Sequence, residues 1–275
     1  MRPRQADPGD GFTDRGHHKT APIPSTRRPS IYDFRQPRRD WPAYLMDRYI
    51  PLPTRGRVLD AGCGPGAYIA ATRARIGAGT LVGLDINHGR LRAIQPGRAL
   101  LVAGDVAALP FRDETFDAAL AMHMLYHVPS VVDAVRELRR VLRAGTGVLY
   151  ALTNSEHAQA EIIELYLRHG GTSALAMGDA RFSNESGGGL LRAGFAEHEI
   201  ELAELHESEL VVTDPEAIVD QFQRLRYTLE PGLREGAIWD ELIAGVRHDA
   251  HRVVARDGAF RVTEGHGLFV CRRTS

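Results

Sequence analysis

The chain is short of several residue types, and each shortage excludes something. Two cysteines, Cys63 and Cys271, occur in 275 residues. They are too few for a disulfide framework or a cysteine-rich metal cluster, which fits a reducing cytosol. Lys19 is the only lysine among 34 basic residues, a bias that suggests a GC-rich bacterial genome rather than a binding property. Neither sign of charge dominates. The net charge of -1 argues against nucleic acid as the main partner, because such binders carry a strongly basic face. No apolar run reaches the roughly 20 residues of a membrane-spanning helix, and the N-terminus lacks the apolar core of a signal peptide. A cytoplasmic protein with no membrane partner is expected. No internal repeat is visible.

What is present suits a globular enzyme-sized domain. Hydrophobic residues make up 43% and charged residues 25%, ordinary for a packed soluble fold, and the length allows one α/β domain with a cap or insertions. Residues 1–30 are rich in Pro, Gly, Arg and His without apolar periodicity and read as a disordered arm. Residues 31–275 read as a single domain, with one or two N-terminal helices over 31–50. Strand and helix patterns then alternate: strands at Val58–Ala61, Leu81–Asp85, Leu100–Ala103, Phe116–Met122 and Gly147–Leu152, with helices at Ala67–Ile76, near His88–Gln95 and after Ser130. In the last of these Val131, Val135, Leu138 and Leu142 follow the 3.6-residue period. Such alternation calls for a parallel sheet covered on both faces. Beyond Leu152 a helix over Glu156–Arg168, strand material at Glu197–Val212 and a helix start at Asp214-Pro215-Glu216 follow. A closing hairpin of Ala259–Thr263 with Gly267–Cys271 is expected. Segments of about 155–183 and 214–256 read as lid insertions.

The most informative stretch is Val58-Leu59-Asp60-Ala61-Gly62-Cys63-Gly64-Pro65-Gly66. A buried strand runs into three glycines and a helix start, so free backbone N–H groups face a turn that a ligand can approach closely. A ligand-free tight turn is the plain alternative. Dinucleotide folds use G-x-G-x-x-G. Here Asp60 precedes the glycines, and its carboxylate would repel a pyrophosphate but favour an ammonium group. A ligand with an amine, a carboxylate and a nucleoside, such as S-adenosylmethionine, suits this arrangement. Further polar groups end successive strands, where open α/β sheets bind ligands. Asp85 can accept from two ribose hydroxyls, and Asp105-Val106 can meet an adenine edge. Ala121-Met122-His123 lies where a sulfonium would sit. A single acid at a strand end is more often a cap or turn former; the ordered set is harder to dismiss.

On these residues, on Gly83-Leu84-Asp85, Gly104-Asp105-Val106-Ala107-Ala108-Leu109-Pro110-Phe111 and Phe116-Asp117, and on Glu137-Leu138 through Val141-Leu142, the chain resembles the class I S-adenosylmethionine-dependent methyltransferases over about Arg57 to Thr153. The small-molecule branch that includes the ubiquinone/menaquinone type is the nearest in pattern. The resemblance implies a Rossmann-like seven-stranded, mostly parallel α/β sheet whose last strand is antiparallel. It also implies Asp60, Gly62, Gly64 and Gly66 at the methionine part of the cofactor, Asp85 at the ribose, Ile86 against the adenine ring, and Asp105 and Val106 at the adenine edge, with Met122 nearby.

Methyl transfer from an activated sulfonium needs mainly proximity and alignment. A protic acceptor also needs a proton acceptor, and histidine suits that role. His123 is a candidate base or a cofactor-packing residue. His127 is a second candidate, or a brace for the following helix, and Tyr126 is a lid aromatic or a substrate contact. Tyr32, Arg35 and Tyr44 are candidates to close over the cofactor carboxylate, although arginines there could equally be a solvated face. No metal site is expected, since His206, His248 and His251 lack a pairing that could form one. The expected acceptor is a small molecule, reached through oxygen, nitrogen or carbon, in a monomer or homodimer. The competing readings are an RNA or protein methyltransferase, an NAD(P)-dependent oxidoreductase and a cofactor-binding module without catalysis.

Overall fold

The computed structural model describes residues 29–171, 181–206, 208–226 and 236–275. Nearly all of the N-terminal arm read as disordered therefore lies outside the described residues, as do parts of both lid segments.

The described chain opens with a 3-10 turn at Ile31–Phe34, a two-residue strand β1 (Arg35–Gln36) and helix α1 (Trp41–Arg48). There follow β2 (Arg57–Ala61), α2 (Ile69–Ile76), β3 (Thr80–Asp85), α3 (His88–Leu91), β4 (Leu100–Ala103), β5 (Ala118–Met122), α4 (Val131–Val141) and β6 (Val148–Asn154). The remainder comprises α5 (Ala160–Arg168), α6 (Asn184–Leu191), β7 (Ile200–Leu205), β8 (Glu209–Val212), α7 (Pro215–Leu225), α8 (Ala237–Asp257), β9 (Phe260–Thr263) and β10 (His266–Arg272).

Seven strands form the main sheet in the order β4-β3-β2-β5-β6-β10-β7. Strands β2 to β6 pair in parallel, and β10 runs antiparallel between β6 and β7. The expected α/β class, the strand number and the antiparallel last strand are all present. Side chains alternate across the sheet. Leu59, Ala61, Val82, Leu84, Ala119, Ala121, Leu149 and Ala151 pack on the face covered by α4. Val58, Leu81, Ala118, Leu120, Met122, Tyr150 and Leu152 pack on the other face, with α1 and α2. Asp60 shares the parity of Val58 and so points to this second face. The cap predicted for α4 is made: Ser130 Oγ accepts from Asp133 N–H at 3.2 Å, and Val131, Val135 and Leu138 are buried.

The C-terminal region departs from expectation. The predicted closing hairpin does not form, because β9 and β10 belong to different sheets. Strand β9 joins β8 and β1 in a separate three-stranded antiparallel sheet, with Leu210 opposite both Arg35 and Val262. The strand material expected at Glu197–Val212 is likewise divided, β7 to the main sheet and β8 to the small one. This second unit has its own core of Ile162, Tyr166, Ile218, Phe222, Trp239, Ile243, Phe260 and Val262. That core supplies the reason: burying α5, α7 and α8 needs a sheet face that a hairpin on the main sheet would not offer. A strand at 35–36 within the expected N-terminal helices is a further difference.

Candidate active site

The glycine turn is built as its sequence requires. Gly62, Gly64 and Gly66 have φ of 68°, 53° and 88°, a region in which a Cβ is disfavoured. A Cβ on Gly62 would lie 2.9 Å from Met124 and one on Gly66 2.8 Å from Ile94, whereas one on Gly64 would meet nothing within 4 Å. The backbone at Gly64 therefore faces open space. Strand β3 holds the loop: Cys63 N–H donates to the Leu84 carbonyl at 2.9 Å, and Gly64 N–H donates to Asp85 Oδ2 at 2.8 Å. Asp85 Oδ1 accepts from Asn87 N–H at 2.8 Å. Asp85 is thus a brace for the turn, and each of its oxygens retains a lone pair for a ligand hydroxyl.

Asp60 lies at the end of β2, 1% exposed, with no hydrogen-bond partner for Oδ2. Burial first, and then the neighbouring Asp85 charge, push its carboxyl up to about 7. A buried carboxylate without a partner is costly, so a cation brought to this point would both satisfy Oδ2 and restore ionisation. Burial, followed by the charges of Asp60 and Asp85, also pushes the Cys63 thiol up. Cys63 therefore stays a thiol and fills space against Gly83, where an added Cβ would lie 3.1 Å from its sulfur.

The remaining cofactor candidates lie along the same sheet edge. Ile86 follows Asp85 and is 59% exposed, an unusual apolar surface beside a carboxylate. Asp105, two positions beyond the Ala103 that pairs with Asp85, accepts from Ala107 N–H at 2.9 Å and caps a 3-10 turn in which Val106 is buried. Met122 is buried at the end of β5.

His123 follows with φ of 54°, a strained conformation for a non-glycine residue. The residue is only partly buried as a whole, yet burial of the ring first, then the nearby His266 and Arg35, push it down to about 3. It is a neutral ring, packed edge-on against His266 with centroids 5.4 Å apart. His127 is exposed at the end of a 3-10 turn, 4.4 Å from the Tyr126 ring. Arg35 does not offer a free guanidinium to a carboxylate ligand. It forms two hydrogen bonds to Glu264, at 2.7 and 2.6 Å, and lies over the Trp41 and Tyr32 rings. Burial works against ionisation of Glu264, but Arg35 and His266 outweigh it and hold the carboxyl down to about 2. Tyr32 accepts at its hydroxyl from Gln159, and Tyr44 stacks on Trp41.

Four residues here escaped the sequence reading: Trp41, Asn154, Glu264 and His266. Asn154 ends β6, two residues beyond the strand expected to finish at Leu152. His266 begins an antiparallel strand, so its first residue reaches the same edge, opposite Asn154. The short Glu264-Gly265-His266 link before an apolar run was the available signal.

A groove of about 430 Å³ lies elsewhere, between α5, α8 and β9. Its charged walls are already paired, Arg168 with Glu164 and Asp249, and Glu161 with Thr263. The strand ends and the unsatisfied Asp60 locate the chemistry better than this groove does. Among the described residues no group of three potential metal ligands converges, and no helix is long and apolar enough to cross a membrane.

Residues 59–150 match the family model described as a methyltransferase domain. A demethylmenaquinone methyltransferase of Roseiflexus sp. (strain RS-1) is 39% identical over 114 residues, 40% of this chain and 48% of that protein. A tRNA (carboxymethyluridine(34)-5-O)-methyltransferase of Arabidopsis thaliana is 32% identical over 116 residues, 41% of this chain and 28% of the relative. The chain spans less than half the length of the curated relatives it matches. Among solved structures, phosphoethanolamine N-methyltransferase 2 of Haemonchus contortus, in complex with S-adenosyl-L-methionine, superposes with a TM-score of 0.51 at 16% identity, over 85% of this chain and 52% of that one. At that identity the likeness is one of fold.

Proposed function

We propose, from the Rossmann-like class I methyltransferase fold of this chain, that it binds S-adenosylmethionine and transfers the methyl group to a small-molecule acceptor. The observation that carries the reading is Asp60, a buried carboxyl with an unpartnered oxygen beside a glycine turn that leaves free space at Gly64. The site fits the cofactor. Asp60 takes its ammonium, Gly62, Gly64 and Gly66 give room for the methionine part, and the remaining lone pairs of Asp85 accept from the ribose. Ile86 offers an apolar surface to the adenine, Asp105 and Val106 meet its edge, and Met122 lies on the sulfur side. When bound, the cofactor supplies an already activated methyl group, so the protein's task is to align the acceptor and receive any proton it loses. His123, Tyr126 and His127 border that acceptor side. The apolar and aromatic residues around it favour an apolar or aromatic acceptor of secondary metabolism.

Calorimetric titration with S-adenosylhomocysteine tests the reading. Binding is expected, and NADH is not expected to bind; the reverse pattern would replace methyl transfer with a nicotinamide-dependent reaction. Release of S-adenosylhomocysteine across an acceptor panel then separates an enzyme from a cofactor-holding module. An RNA acceptor is a second reading, supported by the tRNA-modifying relative. The near-zero net charge favours the small molecule.

A further inference from the structure

The main sheet ends at strand β4, and that edge is open. Gly104 N–H donates to the Asp85 carbonyl at 3.1 Å. Alternate residues of a parallel strand bond the same neighbour, so Leu100 and Val102 also turn their backbone groups toward β3. Leu101 and Ala103 turn theirs outward, and no described strand pairs with them. The edge is also apolar. Leu100 is 62% and Leu101 38% exposed, and no charged residue or proline interrupts Leu100–Ala103, although such residues ordinarily shield an edge strand. The two leucines occupy opposite faces. Leu100 pairs with Val82 on the face of α4, and Leu101 with Gly83 on the face that carries α3. The surroundings are basic. Residues 61–104 hold five arginines and a single acid, Asp85, whose oxygens already accept from Gly64 and Asn87. Arg75 pairs with Asp47, and Arg73 donates to the carbonyls of Gly79 and Arg98. Arg90, Arg92 and Arg98 have no carboxylate partner among the described residues. Asp105, the exposed acid just beyond the strand, caps its own turn at Ala107. In a chain of net charge -1 this is a segregated positive field.

We propose that the β4 edge docks an extended segment of a partner protein in which apolar and acidic residues alternate. Such a segment adds a strand to the sheet. Its main chain bonds the outward groups of Leu101 and Ala103, its apolar residues cover Leu100, and its acids face the arginines of α3 and the α3–β4 connection. Other occupants fit less well. Hydrocarbon cannot satisfy outward backbone N–H and C=O groups, which disfavours a bilayer. Single-stranded nucleic acid is gripped by exposed rings on which bases stack, and the exposed aromatic Tyr32 bonds Gln159 before α5 instead of joining these arginines. A second copy at the same edge would set arginine against arginine. The inference does not depend on the methyl-transfer reading.

The test titrates the full chain with a synthetic peptide of alternating valine and glutamate, followed by calorimetry and amide hydrogen exchange. Saturable binding is expected, with exchange slowed at the Leu101 and Ala103 amides. The double variant Arg92→Glu/Arg98→Glu should weaken it about tenfold, and added salt should weaken it too. Leu101→Pro removes an outward donor while leaving the bonds to β3 in place, and should abolish binding. Should that variant not fold, the same peptide N-methylated along its backbone asks the same question of the unaltered protein, and it should not bind. Equal binding of a valine–lysine peptide, undiminished binding of the N-methylated one, or no binding of the acidic peptide overturns the proposal. So does preferential binding of phosphatidylglycerol vesicles or of a uridine oligonucleotide, either of which would identify a different occupant. Self-association of the chain that Leu101→Pro abolishes would likewise overturn it in favour of a second copy.

Discussion

Asp60 and Glu264 are both carboxyl residues, 1% and 4% exposed, yet their ionisation is driven in opposite directions. Asp60 is pushed up to about 7 by burial and then by a second carboxylate. Glu264 resists burial and is held down to about 2 by Arg35 and His266. Burial sets the cost in both; the partner decides the outcome. The side assigned to the cofactor leaves a charge unpaired for a ligand to complete. The side around Glu264 completes its own charges through Arg35 and leaves the ring nitrogens Trp41 Nε1 and His266 Nε2 without hydrogen-bond partners. They differ in origin as well. The bond from Gly64 to Asp85 joins residues 21 positions apart, and that from Arg35 to Glu264 spans 229.

The contrast can be attacked most forcefully at Arg35. Arg35→Met leaves Glu264 buried without its cation and should cost about 3–5 kcal/mol of stability, read by denaturant unfolding. Because the Glu264 carboxyl is held below its ordinary 4.5, the pair's contribution is present above that value and lost as pH falls through about 2. The difference between wild type and variant should therefore shrink in acid. A cost that stays the same from pH 7 to pH 2 would mean that the pair is not what holds this side together.

Asp60→Asn should act in the opposite direction. With the folded value raised from 3.8 to about 7, the buried carboxyl favours folding fully below 3.8 and loses that advantage as pH rises through about 7. The variant removes that loss, so it should be more stable than the wild type at pH 8 by roughly 2–4 kcal/mol and little different at pH 4. It should also lose S-adenosylhomocysteine binding, and wild-type affinity should fall as pH drops below about 7. Thermal unfolding at the two pH values, with calorimetry, checks both halves; a destabilised Asp60→Asn at pH 8 would show that the carboxyl has a partner after all.

A smaller effect is expected at the ribose. Asp85→Ala should weaken S-adenosylhomocysteine by about 1.5–3 kcal/mol, the scale of hydrogen bonds to a charged group. Unchanged affinity would reduce Asp85 to a brace for the glycine turn. Smallest is Gly64→Ala, where the added methyl meets no atom and only the positive φ resists, at about 1 kcal/mol of stability. A much larger loss would place something solid where the backbone faces open space.

The glycine turn and the carboxylates at the strand ends were legible because they lie in short segments. A strand that ends in Asp60 and enters three glycines at positive φ has few alternatives, and Asp85 and Asp105 follow at the next strand ends. The main sheet was legible for the same reason, since unbroken apolar strands alternating with amphipathic helices admit little besides a covered parallel sheet. The C-terminal hairpin was misread because Ala259–Thr263 and Gly267–Cys271 carry equally good strand patterns, and periodicity does not say which sheet a strand joins. Arg35 looked like a ligand for a carboxylate because its true carboxylate is Glu264, far along the chain.

The sequence by itself determined the strand–helix alternation, the glycine turn, the carboxylates at the strand ends and the caps of α4 and α7, all of which rest on interactions within a few residues or one repeat of the fold. Only the tertiary structure decided that Asp60 would be buried without a partner while Glu264 was given one. It also decided that β9 would leave β10 for a second sheet, and that Trp41, Asn154 and His266 would meet. Those outcomes depend on which surfaces are buried against each other. A local pattern fixes the face a side chain occupies, but not what arrives there from the far end of the chain.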